Sequence, residues 1–422
     1  MVKLENKNIN KIIKVVNNEY INNKLKRVNL IIFPGYFLPH MGGLETHVDE
    51  FSKYLTKSDK YNNGRSNKYN VSIFAPQIPS NSKKYEVIHG DVQVLRYPAF
   101  ELISNYPFPK FWKLDFWKMF FSLYKKDCDI VMTRTRFFFN SFLGTFFAKF
   151  KLVNRKKLIH VEHGSSFVIL DSNFKTKLAY FYDMLFGKLI FLISDKIVAV
   201  SQGSKKFVMN NFNIKKKVEV VRRGVNFDLI LDVNEDKQLK LKYGSKIIIS
   251  YAGRLIDGKG IQDVLKVLSQ IEYDFVFIII GDGPYRSKLE KLVFEYNLEK
   301  KVEFRGKLKY EKVISILKAS DLFVHPSYSE GLPTAVLDAF FSGCKILATN
   351  VGGTYEILSK HWNSQRYILV ESKNVLDLRK GMISLFKVKK EMDMNLYNEI
   401  KKKFDWNEHV SAYDKLMVDL LK

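Results

Sequence analysis

The sequence predicts an α/β protein made of two doubly wound domains in tandem, and three observations carry that prediction. Short β-rich runs alternate with helical patterns along the whole chain, the order that builds a parallel sheet with helices on both faces. The alternation breaks once, in the charged stretch after Gly224, and then resumes. The chain has 422 residues, too many for one ordinary core and enough for two.

The first domain is expected over residues 28–230, after a polar extension of residues 1–27 rich in Lys and Asn. Its strands are read as VNLIIF (Val28 to Phe33), YNVSIFAP, VQVLRYP, DIVMTR, LIHVEH, DKIVAVS and VEVVRRG. Apolar residues at Leu44, Val48, Phe51 and Leu55 recur at helical spacing and predict the first helix. The break, VNFDLILDVNEDKQLKLKYGSK, is charged and lacks strand character. The second domain, over residues 231–403, alternates again: IIISYAG, FVFIIIGDG, VEFRGK, DLFVHPS and CKILAT read as strands. IQDVLKVLSQ, RSKLEKLVFEYNL, YEKVISILKAS and TAVLDAFF read as the helices between them. An amphipathic helix with Val410, Tyr413, Leu416 and Leu420 on one face ends the chain. Two such domains turn their strand C-termini, where doubly wound sheets bind ligands, toward a shared cleft.

Composition narrows the function classes. Hydrophobic residues make up 46%, a globular value. Cys128 and Cys344 are far apart, which argues against a disulfide scaffold or thiolate zinc site and fits a reducing, cytoplasmic compartment. No signal peptide is expected, and the most apolar run, Leu178 to Ser194, is interrupted by Asp183 and Lys188 and is too short to span a bilayer. The net charge of +25 attracts polyanions: nucleic acid, anionic lipid or phosphorylated substrates. It is not spread evenly. Glu101 to His160 holds twelve Lys/Arg against four Asp/Glu, and Phe100 to Phe150 holds seventeen aromatics. Two readings fit that region, a membrane interface or bulky core helices, and Trp112, Phe116, Phe120 and Phe121 fall near one helical face. Helix-turn-helix, RNP and zinc-finger patterns are lacking, so charge alone supports a nucleic-acid binder, and no nucleic-acid partner is expected.

Three motifs carry chemistry. In AGRLIDGKG, Arg254 and Lys259 sit on a Gly-rich strand-to-helix loop, where backbone N–H groups and the helix dipole favour an anion. The alternative is two solvated cations on a turn. In SEGLPTAVLDAF, Glu330 and Asp338 stand eight positions apart, at a helix entrance and two turns along it. Gly331 frees the backbone between them and Pro333 starts the helix without needing an N–H, while Leu332 and Thr334 can point N–H groups at a phosphate. The third is HVEHGSSF, ending a strand with His163. A capping or hydrogen-bond-satisfied histidine is the alternative. GDGP, Gly281 to Pro284, lacks the third glycine of a dinucleotide fingerprint and reads as a tight turn, with Asp282 bordering the base at most. No His/Cys/Asp cluster has metal-ligand spacing, so neither metal nor cofactor is expected.

AGRL…KG, then EGLPTAVLDA some seventy residues later, then TNVGGTYEIL closely resemble the donor site of family 4 glycosyltransferases. PHMGGLETHV resembles that family's Gly-rich loop after the first strand, and FDWNEHVSAYDKLM its closing helix. The resemblance implies a GT-B fold with two Rossmann-like domains, the closing helix, residues 404–422, rejoining the first. It implies transfer, with retention, of a hexosyl-type unit from a UDP- or GDP-linked sugar to an acceptor hydroxyl. Arg254 and Lys259 would hold the diphosphate, Glu330 the sugar side and Asp338 the ribose, at a place where the family usually has Glu. His163 would face the donor sugar, and Gly42 and Gly43 would let the backbone approach the diphosphate. Arg223 stands where the family often has Asn, and Tyr355 where Pro is common. His40 and His47 are weaker candidates. The expected acceptor is a glycan or lipid-linked saccharide, with an anionic membrane surface as partner. An epimerase or phosphorylase on the same scaffold is the rival enzyme.

Overall fold

The computed structural model describes residues 27–40, 42–56, 68–103, 106–150, 155–168, 172–389, 391 and 393–422. Of the expected polar extension only Arg27 is among them. Strand β1 (Val28–Phe33) leads to helix α1 (Gly43–Thr56), β2 (Tyr69–Gln77), β3 (Tyr85–Ile88), β4 (Val92–Ile103) and β5 (Tyr106–Pro109). Helix α2 (Leu114–Ser122), β6 (Ile130–Arg134), α3 (Phe139–Lys149) and β7 (Lys157–Glu162) follow. Helix α4 (Asn173–Tyr182) runs through a π-helical turn (Asp183–Gly187) into α5 (Lys188–Ile193), then β8 (Lys196–Ala199), α6 (Gln202–Phe212) and β9 (Val218–Val220).

After α7 (Phe227–Asp232) and α8 (Lys237–Tyr243) the pattern repeats. It runs through β10 (Ile247–Ala252), α9 (Ile261–Leu268), β11 (Phe275–Ile280), α10 (Arg286–Glu295), β12 (Val302–Gly306) and α11 (Tyr310–Ala319). Then come β13 (Leu322–His325), α12 (Thr334–Phe341), β14 (Lys345–Thr349), α13 (Thr354–Leu358), β15 (Tyr367–Val370) and α14 (Val375–Phe386). Helices α15 (Met394–Lys403) and α16 (Trp406–Leu421) end the chain.

Each domain is a mainly parallel sheet between helical layers. The first sheet runs β3-β4-β2-β1-β6-β7-β8-β9 with β5 on β4, and the second β12-β11-β10-β13-β14-β15. Strand β11, FVFIII, is buried at every residue, as a central parallel strand covered on both faces should be. The pairings of β3 and β5 with β4 are antiparallel, an addition the sequence reading did not contain. Both are four-residue strands, too short to show a period. Only Val218–Val220 of VEVVRRG is strand, and the stretch read as a break carries α7 and α8. Val221 packs in the first core and Val225, Phe227 and Ile230 in the second, so the chain changes core between Val221 and Val225. It changes back at the end. Phe404 of the α15–α16 junction lies in the second core, while Trp406, Val410, Tyr413 and Met417 of α16 pack with Val48 and Phe51 of α1 in the first. Gly224 makes that return possible, because a Cβ there would stand 2.5 Å from the Trp406 ring.

The aromatic region divides in two. Phe116 and Phe120 are buried under the first sheet with Phe74 and Tyr97, whereas Trp112, Trp117 and Phe121 are exposed. Trp112 precedes helix α2, so the expected single face of Trp112, Phe116, Phe120 and Phe121 does not exist. Lys126 likewise turns inward to Gln93, at 2.5 Å.

Candidate active site

The two sheets place the C-terminal ends of β1, β6, β7, β10 and β13 at the junction between domains, and the chemistry-bearing residues sit there. At the end of β11, Gly281 has φ +132°, and a Cβ on it would lie 1.8 Å from the carbonyl oxygen of Gly253, the residue that follows β10. Only glycine fits so close an approach. After Gly253 the chain exposes Arg254 and turns through Asp257–Lys259 into Gly260, at φ +68°. That turn aims Lys259 at the loop after β13. Its Nζ donates to Glu330 Oε1 at 2.5 Å, and His325 Nε2 approaches the same oxygen at 2.9 Å. Burial opposes ionisation of Glu330, but Lys259 and His325 outweigh it and hold the carboxyl well below the usual carboxylate range.

The domains meet backbone to backbone beside this cluster. A Cβ on Gly331 would lie 1.9 Å from the His163 carbonyl oxygen, and one on Gly203 would lie 2.5 Å from the Gly352 carbonyl. Ser165 Oγ donates to the Glu330 carbonyl, and the Ser166 and Ser329 hydroxyls stand 2.6 Å apart. Glu356 Oε1 accepts from Gly203 N–H at 3.1 Å and its Oε2 from Arg222 at 3.2 Å. Glu330 and His163, 167 residues apart in sequence, are thereby neighbours. His163 Nε2 is buried with no hydrogen-bond partner, and its imidazole is held neutral by burial and by nearby Arg134.

Pro333 caps α12 without a side-chain hydrogen bond, and Thr334 begins the helix. Asp338, on the second turn, accepts from Tyr310 Oη at 2.6 Å. Burial pushes its carboxyl up to about 6, against the opposing effects of Tyr310 and Arg223. Arg223 donates to the Gly43 carbonyl at 2.7 Å, so it ties the Gly-rich loop of the first domain to the Asp338 side of the second. Gly42 leaves room for Glu45, whose carboxylate would meet a Cβ there at 2.5 Å, and Glu45 also holds His40 Nδ1 at 2.7 Å. Tyr36, stacked on His40, feels the charge of Arg254 across the junction.

His47 belongs to a buried network. Arg134 donates to its Nδ1 at 2.9 Å, so its Nε2–H donates to His409 Nε2 at 3.1 Å, and His409 Nδ1–H donates to the Arg222 carbonyl at 2.5 Å. One tautomer of each ring satisfies the whole chain, and burial keeps both neutral, His409 down to about 3.

Arg254, Lys259, Glu330, Gly331, Asp338 and His163 therefore line one junction, with Leu332, Pro333 and Thr334 on the turn between the carboxylates. His325 and Tyr310 were not singled out from sequence, and Arg223 stood out only as a departure from the family's usual Asn. His325 had a signal, lying at a strand end five residues before Glu330; Tyr310 had none. GDGP leads into a turn at Pro284 and Tyr285, closed by Arg286 N–H on the Gly283 carbonyl at 3.1 Å, and Asp282 Oδ1 accepts from Gly283 N–H at 2.8 Å. Among the described residues no group of three or more His, Cys, Asp or Glu is placed to hold a metal ion, and no helix is long and apolar enough to cross a membrane.

Two Rossmann-like domains joined by a returning C-terminal helix, with cations and carboxylates gathered between their strand ends, make this a glycosyltransferase of GT-B architecture. The profile described as Glycosyltransferase Family 4 matches residues 41–229, and that described as Glycosyl transferases group 1 matches residues 232–403. The chain belongs to the family 4 glycosyltransferases. It is 42% identical over 405 residues to an uncharacterized glycosyltransferase of Methanocaldococcus jannaschii, covering 94% of this chain and 100% of that one. It is 27% identical over 173 residues to the phosphatidylinositol N-acetylglucosaminyltransferase gpi3 subunit of Schizosaccharomyces pombe, 40% of this chain and 38% of that one. Among solved structures, sucrose-phosphate synthase from Thermosynechococcus elongatus superposes with a TM-score of 0.73 at 18% identity, over 94% and 99% of the two chains. Anabaena HepE in complex with UDP and glucose does so with a TM-score of 0.67 at 15% identity, over 92% and 99%.

Proposed function

We propose that the protein transfers a hexosyl-type unit from a nucleotide diphosphate sugar to an acceptor hydroxyl, with retention of configuration and without a metal ion. The observation that carries this reading is the Lys259–Glu330 pair packed against His163 by the Gly331 contact, with Arg254 on the same loop as Lys259. A nucleotide diphosphate needs cations at its leaving oxygens, and Arg254 and Lys259 supply them from a loop whose backbone N–H groups also favour anions. Glu330 stays ionised beside Lys259 and His325, so it accepts hydrogen bonds from sugar hydroxyls and does not act as an acid. Neutral His163 faces the same sugar from the other domain, with its orphaned Nε2 as the contacting atom. Asp338 receives the ribose hydroxyls, and Gly42 and Gly43 let the first loop close on the diphosphate.

In the proposed step the bond between the anomeric carbon and the phosphate oxygen breaks, and its electron pair leaves with the nucleotide. The acceptor oxygen bonds to that carbon on the same face, and its proton passes to the departing phosphate oxygen. No protein base is required, which suits a site whose nearest carboxylate is tied to a lysine. Binding of UDP and glucose by the HepE fold neighbour supports a nucleotide-sugar donor, and the phosphatidylinositol-directed relative supports a lipid-linked acceptor. The working place that follows is the cytoplasmic face of a membrane.

A thermal-shift series with UDP-, GDP- and dTDP-sugars tests the donor. One of them, at a hundred times its Kd, stabilises the protein by about 2.7 kcal/mol. Arg254→Ala and Lys259→Ala should each lose that shift, and an unchanged shift in both sinks the donor-site assignment.

A further inference from the structure

The helical segment from Asn173 to Ile193 turns an apolar stripe outward. Phe174, Leu178, Phe181, Leu185, Leu189 and Leu192 succeed one another at steps of three and four residues, the spacing of one helix face, and are 36–77% exposed. The opposite face carries the packing: Ala179, Asp183, Gly187, Ile190 and Phe191 are buried, with Asp183 held by Arg136 at 2.9 Å. The stripe is therefore spare, not a misplaced core.

It is also not isolated. Helix α3 lies between this segment and α2, joined by ring contacts of Phe142 with Phe186 at 4.9 Å and of Phe120 with Phe146 at 6.4 Å. Its neighbours add exposed Phe146, Phe150, Trp117 and Phe121 to the same helical layer. Exposed apolar side chains gathered on one helical layer mark an interaction surface. Its charge selects the occupant. Residues 110–126, 139–150 and 173–193 together hold nine Lys and two Asp; Lys126 turns inward and Lys149 is paired with Asp195, while Asp183 is buried and Asp115 is paired with Lys84, so the free charge of the layer is positive. A symmetric contact with a second copy sets this basic face against itself. An anionic lipid surface complements both the rings and the lysines.

We propose that the α2–α3–α4–α5 layer of the first domain docks on an anionic bilayer, with the stripe from Phe174 to Leu192 inserted at headgroup level. The inference does not rest on the proposed reaction. Full-length protein is floated with phosphatidylcholine vesicles that contain or lack phosphatidylglycerol. Wild type should rise with the anionic vesicles and release in high salt. Phe181→Ser with Leu185→Ser should weaken partitioning about a hundredfold, roughly tenfold for each large side chain withdrawn from the lipid. Lys118→Glu with Lys177→Glu should weaken it at least about tenfold. All four positions are exposed, so far-ultraviolet dichroism and Tm should stay unchanged; if the apolar pair perturbs folding, Leu178→Ser with Leu192→Ser replaces it. Wild type remaining at the bottom of the gradient overturns the proposal. So does a variant pair that floats like wild type, or a dimer in sedimentation velocity that the apolar substitutions dissolve.

Discussion

Lowering the pH should weaken donor binding through one carboxyl, Asp338. Its side chain is half-buried between Tyr310 and the Arg223 side of the junction, and loss of solvent around it pushes its carboxyl up to about 6. To hold vicinal ribose hydroxyls it must accept two hydrogen bonds, which the ionised form does and the protonated form does poorly. The sign follows directly. Above pH 6 the carboxylate is formed and affinity is full; below it, each proton bound to the free protein must leave before the ribose can bind. With a free-state value of about 6, affinity falls about tenfold between pH 7 and pH 5, equivalent to about 1.4 kcal/mol. Stability of the ligand-free protein moves the other way. A raised folded-state value stabilises the fold below the unfolded value near 4 and loses that contribution as pH rises through 6. Isothermal titration with UDP-glucose measures the effect cleanly, because its diphosphate is a diester and lacks the second phosphate ionisation near 6 that free UDP has. Burial and Arg134 keep His163 neutral throughout this range. Asp338→Asn should bind more weakly at pH 7 and show a flat profile. A wild-type profile that is flat from pH 7 to 5, or a variant that keeps the acid limb, refutes the ribose assignment.

Three further outcomes follow from the same geometry. Glu330→Gln removes the charge that pairs Lys259 and should lower kcat by orders of magnitude while changing UDP affinity little; a fall in affinity alone reverses the assigned role. Gly331→Ala drives a Cβ into the His163 carbonyl and should open the junction, with a Tm several degrees lower and donor binding impaired at an intact far-ultraviolet spectrum, since overpacking costs about 1–3 kcal/mol. Activity should survive EDTA if, as proposed, Arg254 and Lys259 supply the leaving-group charge; full loss restored by Mg²⁺ or Mn²⁺ counts against the mechanism.

The fold was legible where the chain is periodic. Continuous apolar runs such as FVFIII and alternating helices such as IQDVLKVL announce a parallel sheet locally, and β11 and α9 stand where they were expected. Strands β3 and β5 escaped because four residues on a sheet margin carry no pattern. Arg254, Lys259 and Glu330 stand out because glycine marks the loops that carry them, and Asp338 because Gly331 and Pro333 mark the start of its helix. Their partners do not. Tyr310 meets Asp338 across 28 residues, and His47 meets His409 across 362, so only the closed fold brings them together. The aromatic region misled in a different way: a helix with rings on both faces gives no sequence signal for which ring points in.

Helix α16 is the element that turns two domains into one site. The chain leaves the first core at Val221 and comes back to it only after Phe404, so α16 is docked by side chains that arrive last. One of them is His409, whose ring is hydrogen-bonded on both nitrogens, to His47 of α1 and to the carbonyl of Arg222. Arg222 in turn holds Glu356 of the second domain at 3.2 Å. A single neutral imidazole thus links the closing helix, the Gly-rich loop helix and the interdomain strap. Because burial holds that imidazole down to about 3, the unfolded chain takes up a proton that the folded one refuses. Docking of α16 should therefore weaken as pH falls below about 6.5, in the direction set by linkage. Urea unfolding at pH 7.5 and pH 5 measures it: wild type should lose stability toward pH 5, and His409→Gln, which cannot take up the proton, should lose less. Equal losses in the two proteins would mean that the histidine chain does not couple α16 to the cleft's acid response.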